Sequence, residues 1–226
     1  MKSVLSVKKL KKAKGKKVIL RDINMELMEG EILGLVGANG SGKTTTMKCL
    51  TDLYSYQGSI EKGDIKIGTL IEEPCFYPYM SGYRNLKLDG MYYKDLPDKR
   101  VEELIKELDM SSYIHQKVRK YSLGMKQRLG LALALMNDPD VLILDEPMNG
   151  LDPQGVMQLR NTLKKLAHEK GKSILVSSHI LSEMQVLCDR FIFIKDGCSF
   201  EEEANDNLEK RYMEIMQEEI DLCLNL

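Results

Sequence analysis

The chain has no tryptophan and only four phenylalanines and three histidines among 226 residues. Its fourteen methionines give adaptable packing rather than a dedicated methionine-rich binding surface. It also lacks an excess of either charge: 33 Lys and Arg stand against 34 Asp and Glu, a net charge of -1, which argues against a general polyanion binder. No apolar run approaches the ~20 residues that span a bilayer; the nearest, Leu129 to Met136, is far too short. The opening MKSVLSVKKLKKAK has no continuous apolar core and no small-residue cleavage site, so a signal peptide is not expected. The five cysteines (Cys49, Cys75, Cys188, Cys198, Cys223) are odd in number, scattered and without a C-x-x-C pair. That spacing points away from zinc or redox work and toward reduced thiols in a cytosolic protein. The length suffices for one large α/β domain or two small ones.

What is present is concentrated in Glu31 to Leu50, EILGLVGANGSGKTTTMKCL. Gly37 to Thr44 fits G-x-x-x-x-G-K-[ST], and its flanks raise the value of the match. Ile32 to Val36 reads as a buried strand and Thr44 to Leu50 as the opening of a helix. Glycines let a backbone wrap a phosphate chain, and the N–H groups and dipole of a helix start favour its charge. Gly37, Asn39, Gly40, Ser41, Gly42, Lys43, Thr44 and Thr45 are therefore candidate nucleotide-binding residues. Lys43 would reach the β- and γ-phosphates and the Thr44 hydroxyl would sit on Mg²⁺. The pattern implies a nucleoside triphosphate ligand.

Around this stretch, residues 3–12 and 17–28 read as two strands joined at Gly15. Lysines 8, 9, 11, 12, 14, 16 and 17 crowd that corner. We favour a solvated hairpin whose charged edge discourages pairing over a nucleic-acid surface, because the rest of the chain is not basic and no aromatic is interleaved. Residues 57–62 and 65–71 read as short strands. Glu72 to Leu86, EEPCFYPYMSGYRNL, has turn character, and 83–94 and 98–109 read as helices. The region 73–136 thus reads as a helical insert between two halves of an α/β core, 1–72 and 137–200, with a helical tail over 201–226. The exposed aromatics Phe76, Tyr77, Tyr79 and Tyr83 either anchor a partner helix or pack the insert locally.

The core resumes at VLILDEP, a strand ending in adjacent carboxylates and a proline. Asp145 can approach Mg²⁺ and Glu146 can hold an attacking water. Residues 153–170 read as a helix, 173–178 and 190–195 as strands. His179 follows the carboxyl end of a core strand, where ligands collect in open α/β sheets. In YSLGMKQRLGLALAL, Ser122 is a natural helix N-cap and Gly124 allows close backbone approach. A second helix start suited to an anion is surplus within one chain and makes sense if it faces the nucleotide of another copy.

Over essentially its whole length the sequence resembles the ATP-binding subunit of ABC transporters. The resemblance rests on the Gly37–Thr44 loop, the signature Tyr121-Ser122-Leu123-Gly124-Met125, VLILDEP, the NGLDP loop (Asn149 to Pro153) and VSSHILSE with its switch-position His179. The wording YSLGMKQRLG with IGTLIEEPCFYP looks most like the bacitracin- and lantibiotic-resistance exporters. The resemblance implies a P-loop NTPase fold with a mostly parallel sheet, an N-terminal antiparallel β subdomain and an inserted helical subdomain. It implies ATP and Mg²⁺ as cofactors and an ATP-dependent homodimer stacked head to tail. A separate membrane permease would dock near Phe76–Leu86, on the inner face of the cell membrane, with no nucleic-acid partner. Candidate catalytic residues are then Glu146, His179, Lys43 and Glu72; Thr44, Asp145 and Glu72 are the candidate metal ligands; Ser122 and Gly124 complete the partner's nucleotide site.

Three positions depart from the family pattern. Glu72 stands where most members carry Gln; a carboxylate can ligate Mg²⁺ but adds charge near the γ-phosphate, implying altered Mg²⁺ dependence. Leu123 replaces a glycine of the signature. No aromatic stands where relatives stack adenine; Ala13 or Lys14 falls there, leaving Val18 to touch the base. Two other readings are weaker. Soluble members acting on ribosomes or DNA carry a second phosphate loop or a long coiled coil between loop and signature, and neither is present. A small-molecule kinase would leave Ser122, Gly124 and Glu146 without a role.

Overall fold

A computed structural model describes residues 2–72, 74–203 and 208–217 of the chain. Two long strands open it, β1 (Ser3–Lys14) and β2 (Lys17–Met28), paired antiparallel across a turn at Gly15, whose φ of +60 lies in the left-handed region that glycine tolerates. Strand β3 (Ile32–Val36) runs into helix α1 (Lys43–Leu50), followed by β4 (Gln57–Lys62) and β5 (Ile67–Leu70). Helices α2 (Gly82–Gly90), α3 (Arg100–Glu107) and α4 (Leu123–Ala134) form the insert. Then come β6 (Val141–Leu144), α5 (Pro153–Lys164) with a π-helical continuation over Lys165–Glu169, β7 (Ser173–Ser178), α6 (Leu181–Leu187), β8 (Arg190–Lys195), β9 (Cys198–Glu203) and α7 (Leu208–Gln217).

Among the described residues the strands form one nine-stranded sheet in the order β4-β1-β2-β9-β8-β3-β7-β6-β5. Its half from β8 to β5 is parallel. Every residue of β3, β6 and β7 is buried, as expected where elements cover both faces of a parallel sheet and apolar runs replace alternation. One core, including Leu142, Leu144, Val176 and Phe191, packs against the helical insert. The other, including Leu33, Leu35, Met47 and Ile143, lies beneath the antiparallel strands. Because β3 and β7 are in register from Ile32↔Ile174 to Val36↔Ser178, and Leu144 faces Val176, the segments after β3, β6 and β7 emerge together at one end of the sheet.

Three sequence expectations need correction. Residues 201–203 belong to β9, antiparallel to β8 and tied to β2 through the single pair Asp22↔Cys198; the tail helix spans Leu208–Gln217, and 204–207 and 218–226 lie outside the described residues. Strand β1 is no edge, since it also pairs with β4, and Lys12 is bound to the Ser55 carbonyl at 2.5 Å rather than free in solvent. Tyr77 and Tyr79 are exposed, whereas Phe76 and Tyr83 pack against the core, with the Tyr83 hydroxyl donating to Glu102 at 3.1 Å. Cys49, Cys75 and Cys188 are free thiols, and Cys223 lies outside the described residues.

Candidate functional site

Asn39, Gly40, Ser41, Gly42, Lys43, Thr44, Thr45 and Glu146 line one cleft of about 670 Å³ at the carboxyl end of the sheet. The loop owes its path to its glycines. Gly42 has a φ of +117 and a Cβ there would lie 2.5 Å from Leu20 Cδ2; a Cβ at Gly37 would lie 2.5 Å from the Ile194 carbonyl. Backbone blocks a side chain at Gly37, and the left-handed φ strains one at Gly42. Lys43 opens α1 and folds back into its own loop, donating from Nζ to the Gly37 carbonyl at 2.7 Å and the Ala38 carbonyl at 3.3 Å. Burial pushes its ammonium below the usual lysine range, opposed by attraction to Glu146 and Asp145.

The acidic pair is held by a residue that inspection of the sequence did not single out. Ser177 on β7 donates to Asp145 Oδ1 at 2.5 Å and accepts from the Glu146 backbone N–H at 2.9 Å. The other Asp145 oxygen, Oδ2, accepts from the Thr44 hydroxyl at 2.6 Å. Glu146 has a φ of +47, a rare backbone conformation for a side-chain-bearing residue. That turn carries its carboxylate to Lys43 Nζ at 3.8 Å and to His179 Nδ1 at 2.8 Å. In sequence Ser177 reads only as a strand residue; nothing local marks it as the partner of a carboxylate some thirty residues away.

Glu72 lines a neighbouring trough of about 630 Å³ with Thr44, Asp145, Glu146 and Gln127. Its carboxylate is 2.6 Å from Lys48 Nζ, one turn along α1, and that hydrogen bond raises the lysine's pKa. Ser122 and Gly124 lie elsewhere, in a separate cleft with Leu151, Asp152 and Gln154. Ser122 caps α4 by accepting from the Met125 N–H at 3.3 Å, and Leu123 is exposed. The structure therefore brings together Lys43, Thr44, Asp145, Glu146, His179 and Glu72; Ser122 and Gly124 line a different cleft from the phosphate loop, while Leu123 between them faces the trough of Thr44 and Glu72.

The arrangement fits a Mg²⁺-nucleotide. Inside the loop the buried Ser41 hydroxyl has no hydrogen-bond partner among the described residues, and Gly40 leaves open space where a phosphate oxygen could approach. A hydroxyl and a carboxylate converging at Thr44 and Asp145 are hard oxygen donors of the kind Mg²⁺ selects. Among the described residues there is no group of three or more His, Cys, Asp or Glu able to hold a metal.

A glycine loop clasping its own lysine, with two carboxylates at the end of a nearby parallel strand, defines a P-loop nucleoside triphosphatase. The comparisons with known proteins say which kind. Residues 20–149 match the ABC transporter family. The chain is 40% identical over 221 residues to the lantibiotic transport ATP-binding protein SrtF of Streptococcus pyogenes, covering 92% of this chain and 96% of SrtF. It is 37% identical over 223 residues to the bacitracin transport ATP-binding protein BcrA of Enterococcus faecalis, covering 93% of this chain and 72% of that one. Among solved structures, a dimeric ATP-binding cassette in a post-hydrolysis state bound to ADP and Pi matches with a TM-score of 0.78 at 26% identity, covering 89% of this chain and 99% of that one. The chain belongs to the ABC transporter family, as an ATP-binding component with an ABC ATPase domain.

Proposed function

We propose that the chain is the energy-coupling ATPase of a membrane exporter, working as a head-to-tail pair. Each ATP would lie between one copy's Gly37–Thr44 loop and the other copy's Ser122–Gly124 helix end. The observation that carries this reading is the separation just described: a capped helix start with an open glycine stands in a cleft apart from its own phosphate loop. A second copy supplies the missing half. The relatives are named for bacitracin and lantibiotic transport, which favours antimicrobial peptides or drugs as the substrate class here.

Within each site, Lys43 exchanges the Gly37 and Ala38 carbonyls for phosphate oxygens. Thr44, Asp145 and Glu72 would hold Mg²⁺, which when bound neutralises phosphate charge. Glu146 accepts a proton from the attacking water. His179, hydrogen-bonded to the Glu146 carboxylate, fixes its direction and would contact the γ-phosphate, so positioning and charge neutralisation carry the chemistry. No helix among the described residues is long and apolar enough to cross a membrane; attachment to the inner face of the membrane would run through a permease held near Phe76–Leu86. The exposed Tyr77 and Tyr79 are the anchors available there.

Light scattering of Glu146→Gln with and without Mg-ATP tests the pairing. A shift from monomer to dimer on nucleotide addition, abolished by Ser122→Arg, is the expected result. A variant that binds ATP and stays monomeric at every protein concentration overturns the head-to-tail arrangement for the isolated subunit.

A further inference from the structure

The wall of the nucleotide cleft nearest the first strands is formed by Lys17, Val18, Ile19 and Arg21. It contains no ring, and Val18 is 52% exposed. The cleft continues along residues 194–197. At one end of that segment the Ile194 carbonyl abuts Gly37, and at the other a Cβ on Gly197 would lie 2.5 Å from the Ile19 carbonyl. The segment thus runs from the phosphate loop to the ring-less wall. In its middle, Lys195 Nζ donates to the carbonyls of Ile215 and Met216, each at 3.0 Å. Both carbonyls belong to α7 (Leu208–Gln217), so the ammonium ties that helix to the segment lining the cleft.

The helix is held from its inner face as well. Leu208 and Ile215 are buried, the Tyr212 ring lies 5.8 Å from Phe193, and Arg211 Nε donates to Glu202 at 2.9 Å. Held in this way, α7 places the half-buried Met216 on the same cleft as Val18 and the phosphate loop.

We propose that Met216 is a base-recognition residue, packing its thioether on the nucleobase together with Val18, with Lys195 as the residue that positions it. A thioether is polarizable and unbranched and makes favourable contacts with π systems, so it can serve where β1 and β2 offer no ring. The proposal rests on the nucleotide reading of the cleft. It predicts that the contact belongs to the base and not to the phosphates.

Calorimetric titration of the full chain with Mg-ATP and, separately, with Mg-tripolyphosphate separates the two. Met216→Ala should weaken ATP about two- to tenfold, the range for a sulfur–aromatic contact, while leaving tripolyphosphate unchanged; Met216→Leu, which keeps the apolar bulk, should recover most of the loss. Unchanged ATP affinity in Met216→Ala overturns the proposal, and so does an equal loss for both ligands, which would mark a general distortion. If the unsubstituted chain binds neither ligand, the fault lies in the nucleotide reading itself.

Discussion

Ser177 offers the sharpest test of how the site is held together. The side chain is fully buried at the end of β7, and its hydroxyl is used twice, donating to Asp145 Oδ1 and accepting from the Glu146 N–H. Ser177→Ala removes a hydrogen bond to a charged group, worth about 1.5–3 kcal/mol, and leaves an amide unpartnered at a cost of about 1–3 kcal/mol. Asp145 keeps the Thr44 hydroxyl and both acidic residues are only half-buried, so water can replace part of what is lost. The net destabilisation should therefore be about 2–4 kcal/mol. In a chain of this length each kcal/mol lowers Tm by about 2–4 °C, giving a drop of roughly 5–15 °C by scanning calorimetry. A double-mutant cycle with Asp145→Ala assigns the cause: a coupling energy of about 1 kcal/mol or more is expected for groups in direct contact. Additive effects in the cycle, or a Ser177→Ala protein melting within about 2 °C of the parent, would refute the reasoning. ATP turnover should fall alongside, because the carboxylate facing Thr44 loses one of its two anchors.

Three further outcomes follow from the same geometry. Lys43→Met keeps a buried stem while removing an ammonium that burial already disfavours; Tm should barely move, whereas nucleotide affinity measured by calorimetry should fall more than about 100-fold, the worth of two charged hydrogen bonds. Gly68→Ala would place a Cβ 2.0 Å from the Ala134 carbonyl; since backbone cannot swing aside, urea denaturation should register a loss of about 3 kcal/mol, the upper end for overpacking. Glu72→Gln breaks an ion pair whose acid is 62% exposed, so stability should change by less than about 1 kcal/mol. The Mg²⁺ concentration for half-maximal ATPase activity should nonetheless shift; an unmoved Mg²⁺ titration would remove Glu72 from the candidate metal ligands.

Local patterns carried much of the architecture. The buried strands at Ser173–Ser178 and Arg190–Lys195 were legible from short apolar runs, and the loop from glycines spaced around Lys43. Periodicity did not reveal α6, whose seven residues are too few to establish a period, or β9, whose polar FEEE run resembles a helix start until β8 pairs with it. The candidate site divided along the same line. Lys43, Thr44, Asp145 and Glu146 could be named in advance, because a strand end followed by glycines or carboxylates has its chemistry written into adjacent residues.

Which groups meet was a matter for the sheet. Ser177 reaches Asp145 because β6 and β7 are neighbours in the order β3-β7-β6, and Glu72 reaches Lys48 because β5 flanks β6 on the other side. Met216 reaches the cleft because α7 is held against β8 and β9 by Lys195, Tyr212 and Arg211. The sequence by itself determined most of the elements and the kind of ligand, since the period of apolar residues and the conformational freedom of glycine act over a few residues at a time. Tertiary structure decided the partners of each side chain and kept Ser122 apart from its own phosphate loop, because strand order is set by burying both faces of one sheet, a requirement that no single segment contains.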